Sequence, residues 1–289
     1  MFPKARDHHK PNKPLVPNGL GVVYILASVT YLFLLHCFRI VEPEVSANVF
    51  PALTLAVCIL FGGFMGLLDD WMDLRWRYKT FFPILVALPL VAFREGDPSM
   101  ATYVFGKVDF GIYFYIFIIP AVLAVVTNTV NQLGGLNGLE TICPSIVLFG
   151  LLLGSASDFQ VLLYVPLLIY VVLAYFNFRG KIFVGNTGSF AIGITLASYA
   201  VIANIEQILV ISILPYIINS ALILLNYFFF RTRACVSFDG EKLSSDHRRS
   251  LITLFTNQRP LSERRVVVLI SLMVAASTSA ALLVQWLLL

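Results

Sequence analysis

Five short stretches of this sequence carry the residue types that chemistry needs. The first holds Asp7, Lys10 and Lys13. The second, GLLDDWMDLRWRYK, sets Asp69, Asp70 and Asp73 beside Arg75, Trp76, Arg77 and Lys79. The third, TNTVNQLGGLNGLE, offers Asn128, Asn131, Gly134, Gly135, Asn137 and Glu140. KIFVGNTGSF, Lys181 to Phe190, is the fourth, and Arg231 with Arg233 the fifth. Carboxylates, amide oxygens, glycines and several cations together suit a diphosphate accompanied by a divalent metal. Oxygen donors favour Mg²⁺ or Mn²⁺. Lysine and arginine neutralise phosphate oxygens and a leaving group, and glycine lets backbone approach a ligand closely. Asn128 and Asn131 are three apart, so they share a helix face. Each piece alone has a plainer role as a solvated helix end, a cationic anchor, a helix bridge or a turn; their coincidence carries the weight. His8, His9, His36 and His247 show no ligand spacing and are expected to be structural or surface residues.

The elements that position these stretches are membrane helices. The chain is 58% hydrophobic and 12% charged, against roughly 25% charged in a soluble domain. That balance excludes an ordinary soluble protein, and no nucleic-acid partner is expected. About 20 apolar residues cross the hydrocarbon, and nine windows qualify: 19–41, 48–68, 80–94, 111–130, 139–157, 160–178, 187–204, 206–229 and 266–288. With the N-terminus inside, the inner segments hold 17 of the 20 Lys and Arg, the exceptions being Arg39, Arg94 and Lys107. The outer loops are acidic, with Glu42, Glu44, Glu95, Asp97, Asp109, Asp158 and Glu206. The positive-inside rule therefore predicts a cytoplasmic N-terminus, an outer C-terminus and a cytoplasmic face bearing all five stretches. The start, MFPKARDHHKPNK, is basic and lacks the apolar core of a signal peptide. Residues 230–265 predict a hairpin with a type I′ turn at Asp239-Gly240, then a short helix starting at Asp246. Its Arg248 and Arg249 would face lipid phosphates. Cys37, Cys58, Cys143 and Cys235 form no CxxC pair and are expected to be buried small residues without disulfides.

The order DxxK, DDxxDLRWRxK, NxxNxxxGxNGLE and FVGxTGS resembles the polyprenyl-phosphate sugar-1-phosphate transferase superfamily. LRWRYK, Leu74 to Lys79, points to its dolichyl-phosphate N-acetylglucosamine-phosphotransferase branch of archaea and eukaryotes. The resemblance runs from about Asp7 to Gly240. It implies transfer of a sugar 1-phosphate, GlcNAc-1-phosphate above all, from a UDP-sugar to a dolichyl or polyprenyl phosphate, with UMP released. By motif, Asp69, Asp70 and Lys79 would be catalytic, Asp69 assisting the lipid phosphate as base and Lys79 holding the diphosphate. Asn131 would ligate Mg²⁺. Gly135 and Asn137 would meet the uracil, with Phe183 stacked on it. Trp76 and Arg231 would border the sugar and diphosphate. Asp7, Lys10, Asn128, Glu140 and Arg233 would complete the substrate-binding set. Relatives often pair through membrane helices, so the resemblance allows a homodimer. It implies a plasma membrane if the source is prokaryotic and an endoplasmic reticulum if eukaryotic.

This sequence departs from the superfamily pattern at one place above others. Where relatives carry a metal-ligating Asp in GDTG, this chain has Asn186. With Asn131, that would make two neutral amides the protein ligands, and weak metal binding the expectation. An active divergent transferase, a non-catalytic relative that binds nucleotide-sugar or lipid phosphate as a partner subunit, and an Asp→Asn variant made to trap substrate all stay open. A transporter is a weaker reading, because the spans are apolar apart from their inner ends. The late HxR element is present only as FFFRTR, and a helix that usually precedes the DxxK loop is not seen. The expected architecture is one all-α, polytopic transmembrane domain over 1–289, with a small cytoplasmic hairpin and helix near 231–265.

Overall fold

The structure, a computed structural model, describes residues 2–40, 51–102 and 106–288. Glu42 and Glu44 lie outside the described residues. A hairpin of β1 (Lys4–Arg6) and β2 (Leu15–Pro17) opens the chain. Then come α1 (Gly21–Cys37), α2 (Pro51–Met72), α3 (Trp76–Val86) and α4 (Leu88–Phe93). β3 (Ser99–Thr102) pairs with β4 (Gly106–Asp109). A π turn, Phe114–Ile118, leads into α5 (Ile119–Gln132), followed by α6 (Leu139–Gly154), α7 (Ser157–Gln160), α8 (Tyr164–Phe178), α9 (Gly185–Ile202), α10 (Glu206–Ser212) and α11 (Leu214–Phe230). β5 (Ser237–Phe238), β6 (Leu243–Ser244), α12 (Leu251–Gln258) and α13 (Glu263–Leu288) complete it.

Among the described residues, helix occupies most of each apolar window, with breaks inside them at Ala87 and Ile213. Five helical stretches among the described residues are long and apolar enough to cross a membrane, and a sixth joins them if α10 and α11 count as one span bent by 56°. Pro215 in the first turn of α11 explains that break, since its ring cannot continue the preceding helix. Pro89 does the same between α3 and α4. α1 and α6 are apolar but shorter. The molecule is thus a polytopic, all-helical membrane protein with small hairpins at its ends.

α9 is its pillar. All sixteen residues from Thr187 to Ile202 are buried, and α2, α5, α1 and α6 pack around it. Close approach needs small residues at the crossings. A Cβ on Gly21 of α1 would sit 2.2 Å from the Gly188 Cα of α9. Tyr24, fully buried, pairs its hydroxyl with Thr195 Oγ1 at 2.7 Å.

The late loop differs from expectation in detail. Its hairpin forms, but the turn sits one residue on: the Asp239 N–H donates to the Lys242 carbonyl, and Gly240 alone there takes positive φ. The N–H groups of Lys242 and Glu241 both donate to Asp239 Oδ1, holding its carboxyl below the ordinary 3.8. The helix after it starts at Ser250, not Asp246. Ser250 and Thr253 form a reciprocal capping box that Asp246, four residues earlier, cannot make. All four cysteines are free; Cys58 and Cys143 are buried, whereas Cys37 and Cys235 are exposed.

Candidate active site

α9 begins where α2 ends. Gly66 on α2 lies so close to it that a Cβ would come within 2.3 Å of the Asn186 carbonyl oxygen. One turn on, Asp70 reaches the N–H groups that a helix start leaves unpaired. Its Oδ1 accepts from Asn186 N at 2.9 Å; its Oδ2 accepts from Thr187 N at 2.9 Å and from the Thr187 hydroxyl at 2.7 Å. α9 has no side-chain cap of its own, so Asp70 caps it from the neighbouring helix.

Asp69 has different partners. It is buried, its Oδ1 lies 2.8 Å from Lys79 Nζ, and the same oxygen accepts from Leu74 N at 3.0 Å. Lys79 comes within reach because the chain reverses after α2 through Asp73, which takes the left-handed conformation. Oδ2 of Asp69 is buried and has no hydrogen-bond partner among the described residues. From α5, Asn131 Nδ2 donates to Asn186 Oδ1 at 3.0 Å and to Ser189 Oγ at 2.8 Å. The two amides expected at the metal therefore bond one another. Asn128 instead turns Nδ2 to the Ala124 carbonyl of its own helix, at 2.8 Å.

A second network lies at the same end of the bundle. Asp7, buried, forms an ion pair with Lys10 at 3.2 Å and accepts from Asn137 Nδ2 at 2.8 Å. Asn137 also donates its backbone N–H and Nδ2 to Glu263 Oε1 on α13, at 2.8 and 2.9 Å. Gly135 takes φ +101°, donates its N–H to Glu140 Oε1 at 2.9 Å, and has open space beside its Cα. Phe183 is half-buried and its N–H donates to the Pro17 carbonyl, tying the fourth stretch to the first hairpin. Trp76 is half-exposed, edge-on to Phe228 at 5.8 Å. Arg231 and Arg233 are exposed at and after the end of α11, and among the described residues neither forms an ion pair with Asp69.

The sequence reading missed Asn177. It is buried at the end of α8; its Oδ1 accepts from Gly138 N at 2.7 Å and Thr141 Oγ1 at 3.1 Å, while Nδ2 donates to the Ile182 carbonyl at 2.8 Å. It fastens the third stretch to the fourth. An amide at the inner end of an apolar span was its signal, the same one that marked Asn131. Glu263 and Ser189 carried no such signal.

The donors at this end of the bundle suit a divalent cation. Asp69 Oδ2 is an orphaned buried carboxylate oxygen, which a cation would satisfy. Asn131 and Asn186 add neutral amide oxygens once their mutual bond opens. The set is all oxygen and fits Mg²⁺ or Mn²⁺, with a single carboxylate.

Comparison with known proteins decides the family. The description Glycosyl transferase family 4 matches residues 52–204, just over half of the chain. The chain belongs to that family. The match runs from α2 to the end of α9, so the family's shared part contains Asp69, Asp70, Lys79, Asn131 and Asn186. A protein of Saccharolobus solfataricus named as a UDP-N-acetylglucosamine–dolichyl-phosphate N-acetylglucosaminephosphotransferase is 28% identical, over 97% of this chain and 88% of its own. One of Sulfolobus acidocaldarius with the same name is 31% identical over 75% of this chain and 68% of its own. The like-named protein of Dictyostelium discoideum is 27% identical over 71% of this chain and 59% of its own.

Proposed function

We propose that this family 4 protein transfers GlcNAc-1-phosphate from UDP-GlcNAc to a dolichyl or polyprenyl phosphate, releasing UMP. The observation that carries the reading is the meeting, at one end of the bundle, of the Asp69–Lys79 pair with the capped start of α9 and the Asn131–Asn186 pair. The names of its relatives support the substrates. Exposed Trp71, Trp76 and Phe228 around that end give an isoprenoid acceptor an apolar surface to lie on.

In the transfer, an oxygen of the lipid phosphate forms a bond to the β-phosphorus, and the bond from that phosphorus to the oxygen shared with the α-phosphate breaks. UMP leaves with the electron pair. Two anions must meet, so positioning and charge neutralisation govern the rate more than covalent chemistry. Lys79 brings positive charge to the diphosphate. Asp69 accepts a proton from an acceptor phosphate that arrives protonated. Asp70 acts at one remove, by fixing where α9 starts. Gly135 leaves room for the uracil against its backbone, and Phe183 stacks on the base. Asn131 and Asn186 would hold Mg²⁺ or Mn²⁺, and the ion would supply further neutralisation; Asp69 Oδ2 would lend it a carboxylate whenever it does not carry the acceptor's proton. The active face is cytoplasmic, and nine segments cross the membrane.

The test is UMP release by the purified protein and by Asn186→Asp, with UDP-GlcNAc, dolichyl phosphate and a Mg²⁺ titration. Turnover by the protein is expected, with the variant reaching half-maximal rate at about tenfold lower Mg²⁺. Silence from both, with UDP-GlcNAc still bound, would refute the transferase reading in favour of a binding subunit.

A further inference from the structure

α13 comes from the far end of the sequence, yet it meets the third stretch at two levels. Its first residue, Glu263, accepts at Oε1 both the backbone N–H of Asn137 at 2.8 Å and the side-chain Nδ2 at 2.9 Å. One turn on, Val267 is fully buried, and its Cγ1 would lie 3.3 Å from a Cβ on Gly138. Further along, Ser271 Oγ lies 3.4 Å from Cys143 Sγ of α6, Val274 is fully buried, and Thr278 fills the space left by Gly150 of α6. Positions 263, 267, 271, 274 and 278 share one helix face. Packing along α6 therefore fixes where Glu263 stands, independently of the hydrogen bonds it makes.

Those hydrogen bonds use every donor that Asn137 has. Its backbone N–H goes to Glu263. Nδ2 carries two hydrogens, and these serve Glu263 and Asp7, the latter at 2.8 Å. Asp7 holds the side chain only, whereas Glu263 holds backbone and side chain together. The turn needs such a hold, because Gly135 and Gly138 on either side of Asn137 take φ +101° and +103° and give it little stiffness of their own.

We propose, resting on the transferase reading that lays the uracil against Gly135, that Glu263 is a positioning residue for the nucleotide half of the donor substrate. It touches no substrate atom and acts through Asn137, which it keeps in one orientation beside the open space at Gly135. α13 lies outside residues 52–204, the part matched to the family, so this gives substrate binding a support from beyond that part. Without the carboxylate the turn takes other shapes, and the nucleotide must re-order it on binding. The loss then falls on nucleotide affinity, not on bond making or on the lipid acceptor.

The experiment measures UDP binding to full-length protein in detergent with Mg²⁺ by calorimetry, beside UMP release with UDP-GlcNAc and dolichyl phosphate each varied. Glu263→Ala should weaken UDP about tenfold or more, as expected for losing hydrogen bonds to a charged group. KM for UDP-GlcNAc should rise by the same factor, with kcat and KM for dolichyl phosphate within about threefold of the parent. Glu263→Gln keeps an oxygen acceptor in place and should retain UDP affinity within about threefold. Val274→Ala, on the same face but away from the turn, should lower Tm and leave UDP affinity within about threefold. UDP affinity that Glu263→Ala leaves unchanged, that Glu263→Gln fails to retain, or that Val274→Ala reduces as much, overturns the proposal. So does a loss confined to kcat. A parent that binds UDP without turnover refutes the transferase reading alone, and the calorimetry still decides the role of Glu263. A parent that binds no UDP overturns both.

Discussion

Asp70 is an acid beside a candidate catalytic acid, yet its contacts are those of a helix cap, and the two roles separate cleanly. Asp70→Ala removes three hydrogen bonds from the start of α9. Losing an N-cap costs about 1 kcal/mol and up to about 2. Losing a negative charge at the positive end of a helix adds about 0.3–1 kcal/mol. Asp70 is exposed, so water recovers part of this, and a total of about 1–2 kcal/mol is expected. For a large domain each kcal/mol moves Tm by about 2–4 °C, so the apparent Tm should fall by about 2–8 °C. Asp70→Asn keeps an acceptor oxygen and should lose about half as much. UMP release by Asp70→Asn should stay within about tenfold of the parent, because about 1.4 kcal/mol is one decade of rate. Asp69→Asn should lose at least about a hundredfold. Thermal unfolding in detergent and a UMP assay on the same preparations measure both. If Asp70→Asn keeps its Tm and loses as much turnover as Asp69→Asn, Asp70 is a reacting group and the capping argument is wrong.

Three further outcomes are expected. Asp69→Asn and Lys79→Met, combined, should destabilise less than their separate effects sum to, by at least about 1 kcal/mol in a double-mutant cycle, since each single change strands a partner in a largely buried pair; additive effects would show that the pair is not coupled. Gly66→Ala should cost about 1–3 kcal/mol and depress UMP release, because its Cβ meets the Asn186 backbone; a neutral result in Tm and rate would mean that α2 and α9 sit further apart. The Asp239 turn should have a pH signature. Its carboxyl titrates below 3.8 when folded, so the turn's stabilisation is complete above that value and is lost as pH falls through the lower, folded one. Amide exchange at Glu241 and Lys242 should quicken over that acid range, and Asp239→Asn should remove the pH dependence.

Much of this architecture was legible because periodicity and charge sidedness are local. The helical windows needed only runs of apolar residues. Asn131, Asp69 and Lys79 stood out because polar groups in such runs are costly without a purpose. What was hidden depends on contacts between distant segments. Nothing near Asp70 says that its oxygens meet the amides of residues 186 and 187 on another helix. Asp7 and Glu263 have no shared spacing because folding alone brings the two ends of the chain together. The break in 206–229 was marked by Pro215, but composition cannot say whether a proline bends a span or is absorbed by it. The shifted hairpin turn shows the same limit on a smaller scale. Either Asp239-Gly240 or Gly240-Glu241 could occupy the turn, and the register settles which.

The burial of α9 on every side has a bearing on how the protein is made. A helix that touches only other helices is released from the need to be greasy, and α9 carries glycine, serine and threonine along its length. It is not among the helices apolar enough to qualify as spans alone. Such a segment gains little by partitioning into lipid by itself, so its neighbours must receive it as it leaves the insertion machinery. α1, α2, α5 and α6 all precede it in the chain and are available to do so. The order of elements along the sequence therefore doubles as an order of assembly. The helix whose first turn holds Asn186 enters a socket that four earlier helices have built, α10 closes on it afterwards, and the site forms only when that socket has received it.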